Sequence, residues 1–213
     1  MAIITTYLVM SVALLLSIIQ RFRTSQSTFV KNIFWYCLAA FLIINMVVFA
    51  RPLGLTIYQV LILNFLSGIF NFCFLGIFIM KHLASRVNLK YARIIFILFY
   101  LLTLYATAYE LTFFNSSGYF FTQVGLLILP SIYFLDLFQN IPSEPFWNYP
   151  EFWIISGIFT SNSILLPFLG FSHYYPSVKE IIVGYNSIIS GLSLFILYAF
   201  ICKGILCTLR TQK

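Results

Sequence analysis

Tyr109–Phe121 reads YELTFFNSSGYFF, and how this stretch is read decides the fold. It interrupts an apolar region that runs from Ile94 to Leu135, with Glu110 and Asn115-Ser116-Ser117-Gly118 as the clearest breaks. About 20 apolar residues cross a hydrocarbon core of roughly 30 Å, so the whole region is far too long for one crossing. A break at the Asn-Ser-Ser-Gly turn predicts two helices, about 94–112 and 120–139.

Five further uncharged runs lie outward from this pair, at about 2–20, 33–50, 55–80, 152–171 and 181–202. Hydrophobic residues make up 62% of the chain and charged residues 8%, against about 25% charged in globular domains, which places the chain in a bilayer. The runs are continuous, not alternating, which favours helices over a β-barrel. The expected fold is all-α: one polytopic integral membrane domain over residues 1–213 with seven transmembrane helices. Arg51-Pro52-Leu53-Gly54 supplies a turn before the third run. The first run lacks a basic start and a small-residue cleavage site, so it reads as a retained helix and not a signal peptide.

Basic residues orient such a bundle because they are retained on the cytoplasmic side. With seven crossings, ten of the twelve Lys and Arg residues fall on one side: Arg21, Arg23, Lys31, Lys81, Arg86, Lys90, Arg93, Lys203, Arg210 and Lys213. Arg51 and Lys179 fall on the other. The expected topology is N-terminus out and C-terminus cytoplasmic, in a bacterial cytoplasmic (inner) membrane. Merging the two central helices would scramble this alternation.

One inner connection has no basic residue: SEPFWNYPEFW, Ser143–Trp153. Trp147, Tyr149 and Trp153 suit the membrane interface, where an aromatic body is buried and its polar edge stays wet. Pro150-Glu151 suits a helix start, with proline in the first turn and an acid near the positive end of the dipole. The sharper reading is a partner-binding loop in which Glu144, Trp147, Tyr149, Glu151 and Trp153, with nearby Asp136, face a cytoplasmic protein.

Polar side chains at depth offer a second candidate. Asn64, Ser67 and Asn71 share a helix face, Ser156 to Ser163 interrupt the sixth run, and Asn186, Ser190 and Ser193 mark the seventh. Interhelical hydrogen bonds between such groups are worth about 0.6–2 kcal/mol each, and packing is their simplest role. Asn64, Asn71, Asn162 and Asn186 are the residues that would line a polar pocket. A third candidate is an outer rim of Arg51, Glu110 and His173. Glu110 and Asp136 both fall near helix ends, where a snorkelling or paired carboxylate is expected and a midplane ion relay is not.

The chain has no Gly-rich phosphate loop, nucleophile elbow, helix-borne histidine pair or kinase signature, so no enzyme, cofactor or metal is expected. The cysteines have no zinc-like spacing, and the last run contains no lysine for a retinal Schiff base. The charge of +7 belongs to a membrane face, not to a soluble nucleic-acid surface.

The order YELTFF, NSSGYFF, YFLDLF, YPEFWIISGIF and YNSIISGLSLFILYAF, over residues 105–202, resembles small bacterial seven-helix membrane proteins akin to the membrane input modules of sensor histidine kinases. The resemblance implies a membrane input or accessory module and supplies neither a ligand nor a catalytic residue. Two functions are therefore expected. The first is a non-enzymatic sensory or signal-transducing module that acts on a protein partner in the membrane or cytoplasm. The alternative is a structural or accessory subunit of a larger membrane complex, with a small transporter third.

Overall fold

The computed structural model describes residues 2–23, 28–49, 54, 56–109, 116–140, 144–174 and 179–210. These form seven α-helices: α1 (Ala2–Arg23), α2 (Thr28–Phe49), α3 (Ile57–Lys81), α4 (Arg86–Tyr109), α5 (Ser116–Gln139), α6 (Pro150–Tyr174) and α7 (Lys179–Arg210), with a 3-10 turn at Phe146–Asn148. No strand occurs among the described residues.

The apolar region from Ile94 to Leu135 is divided as expected, between α4 and α5, which pack against each other. Residues 110–115 lie outside the described residues. Except for α3, the helices are longer than the uncharged runs suggested. α2 begins at Thr28 and α4 at Arg86, so Lys31, Lys90 and Arg93 are helical. The reason is physical: Lys and Arg are good helix formers, and their long stems let a charged head leave the membrane while the backbone stays inside the helix. α7 also continues through Lys203 to Arg210, well past the run that ended at 202.

Local signals agree with these bounds. α6 starts at Pro150 with Glu151 in its first turn. Thr56 caps α3: its side chain accepts the Gln59 amide and the Gln59 side chain accepts the Thr56 amide, a reciprocal capping box. Gly54 just ahead has φ +74°, in the left-handed region that glycine enters without a Cβ clash. Pro130 and Pro167 sit inside α5 and α6, as membrane helices allow.

The packing order closes a ring. α1 packs on α2, α2 on α3, α3 on α5, α5 on α6, α6 on α7 and α7 on α1, while α4 lies outside against α3 and α5. The interior is filled by Tyr36, Phe72, Leu129, Ile158, Tyr198 and Ile201, among others. Among the described residues, four helices carry stretches long and apolar enough to cross a membrane: Phe29–Met46, Arg86–Thr107, Gly118–Gln139 and Ile188–Thr208. The shorter apolar stretches Tyr7–Phe22 and Phe65–Lys81 lie in α1 and α3. The protein is thus an integral membrane protein built as a helix bundle.

Candidate functional site at the basic end

Contacts between distant elements define one end of the bundle. Gln20 at the end of α1 donates to the Thr208 hydroxyl at the end of α7. A Cβ on Gly204 of α7 would stand 2.8 Å from the Pro150 carbonyl oxygen, so the end of α7 meets the start of α6 at backbone distance. Phe134 of α5 meets Phe152 of α6, and Phe29 of α2 meets His82 after α3. This end therefore gathers the α1–α2, α3–α4 and α5–α6 connections and the end of α7, and with them Arg21, Lys31, Lys81, Arg86, Lys90, Arg93 and Lys203. We refer to it as the basic end.

Asp136 is the most heavily bonded side chain there. It lies one turn before the end of α5 and is 2% exposed. Its Oδ2 accepts the Ala84 amide at 2.7 Å, and its Oδ1 accepts the Ser85 amide at 3.1 Å and Asn88 Nδ2 at 2.7 Å. Asn140 Nδ2 adds a bond at 3.3 Å, while Asn88 also donates to Gln139 Oε1 at 3.1 Å. The Ser85 hydroxyl accepts the Asn88 amide at 3.4 Å, completing the start of α4. Asp136 thus caps α4 from a different helix: its charge faces the positive end of the α4 dipole, and its oxygens satisfy amides that no helix bond reaches. This corrects one expectation. Asp136 does not join Glu144 and Glu151 in an acidic surface, because its carboxylate is turned into the protein to hold the α3–α4 turn.

The aromatic connection is anchored differently. Trp153 Nε1 donates to the Trp147 carbonyl at 2.8 Å, and the Cys207 thiol donates to the Asn148 carbonyl at 3.0 Å. Lys203 Nζ lies 5.2 Å from the centre of the Trp153 ring, and the Phe146 ring centre lies 5.0 Å from that of Phe152. The main chain of the turn is therefore tied to α6 and α7. Trp147 itself points away, 54% exposed, beside the exposed Glu144. Tyr149, Glu151 and Trp153 are half-buried. The five residues expected in this loop sit close together in the chain, but only Trp147 and Glu144 present an open face.

The polar pocket residues are placed unequally. Asn71 accepts from the Tyr36 hydroxyl at 3.1 Å, joining α2 to α3, and the buried Tyr198 side chain of α7 lies near Tyr36 in the bundle centre. Asn162 is buried and donates back to the Ile158 carbonyl of its own helix at 2.5 Å. The side chains of Asn64 and Asn186 lie outside the described residues, as do Arg51, Glu110 and the side chain of His173. Sequence reading passed over Tyr36, Tyr198 and Cys207, because tyrosine and cysteine carry no spacing that distinguishes a bonded role from simple burial.

No protein-family model matches this chain, and neither a curated protein nor a solved structure matches it.

Proposed function

We propose that this protein is a non-enzymatic membrane module whose basic end faces the cytoplasm and docks a separate protein through the Glu144–Trp153 connection. The orientation rests on the ten basic residues gathered at one side of seven crossings. The observation that carries the docking is Trp147: its carbonyl is held by Trp153 and the next carbonyl by Cys207, while its ring stays more than half exposed. A rigid backbone that presents an open tryptophan loses little entropy on binding, which is how interface anchors work. A sensory role in the manner of kinase input modules is the specific form of this reading that the sequence resemblance favours.

The test is quantitative copurification in mild detergent from native membranes. Wild type and Trp147→Phe are expected to retain a partner at fixed stoichiometry. Trp147→Ala, inserted at normal abundance, is expected to lose it about thirtyfold, corresponding to about 2 kcal/mol for a buried anchor. Equal retention by Trp147→Ala would reduce the loop to a membrane anchor.

One observation favours the accessory-subunit reading. The Tyr36 hydroxyl of α2 is taken up by Asn71 of α3 inside the bundle, which suits packing better than ligand sensing. A complex that is stoichiometric and indifferent to added small molecules would select that reading.

A further inference from the structure

At the basic end, the Arg21 guanidinium carbon lies 4.5 Å from the Phe34 ring centre and 5.4 Å from that of Trp35, so a cation on α1 is laid across two neighbouring rings on α2. Trp35 remains 55% exposed. Lys31 is exposed and precedes Trp35 by one helical turn on the same face, nearer the end of the bundle. Among the described residues no hydrogen bond or ion pair joins Arg21 or Lys31 to a protein acceptor.

Among the described residues, the helices packed on Arg21 and Lys31 carry no acidic residue at this end. The five acidic residues are Glu110, Asp136, Glu144, Glu151 and Glu180. None lies on α1, α2 or α3; the acid of α7, which packs on α1, is Glu180 in its first turn at the opposite end. Stacking consumes the face of a guanidinium and leaves its N–H edge, whose fork matches the oxygens of a phosphate. An indole at this level sits by preference among lipid headgroups.

We propose that the notch between α1 and α2 at the basic end binds the phosphate of an anionic membrane lipid, with Arg21 as the oriented contact, Lys31 as the second cation and Trp35 against the lipid's glycerol region. The notch differs from Lys81, Arg86, Lys90 and Arg93, which are exposed without a ring platform, and from Lys203, which lies over the single Trp153 ring, in setting one cation across two rings with a second cation one turn away. Occupancy joins α1 to α2 from outside the bundle and is independent of any partner at Trp147.

The full chain, purified in nonionic detergent, is titrated with a short-chain phosphatidylglycerol, with phosphatidylcholine of the same chain length, or with inorganic phosphate, and thermal unfolding is followed. Phosphatidylglycerol is expected to raise the melting temperature, and the other two to leave it unchanged. The phosphatidylglycerol concentration giving half the shift is expected to rise about fivefold in Arg21→Gln and in Lys31→Gln, the loss of one basic contact, and to stay within about twofold in Lys90→Gln. Lys31 is exposed, so its variant keeps the test open if Arg21→Gln fails to fold. Equal protection by phosphatidylcholine or by inorganic phosphate would overturn the proposal, as would equal responses of Lys31→Gln and Lys90→Gln.

Discussion

The basic end and the middle of the bundle use polar side chains in opposite ways. At the basic end they join elements far apart in sequence: Asp136 holds Ala84, Ser85 and Asn88, Gln20 holds Thr208, and Cys207 holds Asn148. Through the rest of the bundle, most of those described turn back on their own helix. Thr103 donates to the Phe99 carbonyl, Thr107 to Thr103, Ser131 to Leu127, Thr160 to Ser156 and Ser163 to Phe159, each four residues back. A hydroxyl in hydrocarbon satisfies itself on the nearest backbone carbonyl and then has nothing left for a neighbour. The exceptions among the described residues are Ser193 of α7, which donates to the Ser161 carbonyl of α6, and Tyr36 of α2, which donates to Asn71 of α3. Where water is close and chain turns leave amides unpaired, polar groups have work to do between elements. Where the backbone is already satisfied, they do not.

This contrast ranks the consequences of mutation. Removing Asp136 is expected to cost most. Asp136→Ala strands the Ala84 and Ser85 amides and the Asn88 side chain, an expected loss of about 3 kcal/mol in detergent unfolding. A smaller loss than that of any mid-bundle hydroxyl variant would break the comparison. Next comes Gly204→Leu. Its side chain would meet the Pro150 carbonyl at the closest approach of α6 and α7, and backbone cannot yield as a side chain can. The expected cost is about 2 kcal/mol, read from the same unfolding assay.

The central chain is expected to be weaker and cooperative. Tyr36→Phe removes the bond to Asn71 beside the buried Tyr198 hydroxyl, for about 1 kcal/mol, and adding Tyr198→Phe in that background is expected to cost little more. Additive losses would show that the two hydroxyls act separately. The smallest effect is expected for Thr160→Val, within about 0.5 kcal/mol of wild type, because its hydroxyl serves only its own helix.

The same contrast explains what the sequence made legible. Helix number and the break near Asn115 follow from the length of apolar runs and the thickness of a bilayer, so the architecture could be read without contacts. The start of α6 was legible from Pro150-Glu151, since both residues act locally. The start of α4 was not. Charge-free runs report where the hydrocarbon is, whereas a helix includes Lys90 and Arg93 for as long as its backbone is bonded, and α4 begins against a carboxylate on another helix. Asp136 could be recognised as a carboxylate near a helix end, but its partners lie about fifty positions away and nothing in the spacing pairs them. The Thr56-x-x-Gln59 capping signature is local and therefore legible in the sequence. In the aromatic connection, Trp147 and Trp153 stand out by composition alone. That one is open and the other is tied down emerges only when α7 is laid beside them.

If these long-range links hold the basic end in place, the amides at the α3–α4 turn are protected by them. Amide hydrogen exchange across Ala84–Leu89, with the chain in a lipid nanodisc, tests it most directly. Slow exchange at Ala84 and Ser85 in the wild type, rising to the rate of an unstructured peptide in Asp136→Ala while α6 and α7 stay protected, is the predicted result. Exchange at Ala84 and Ser85 that is already fast in the wild type, or unchanged in the variant, would contradict it.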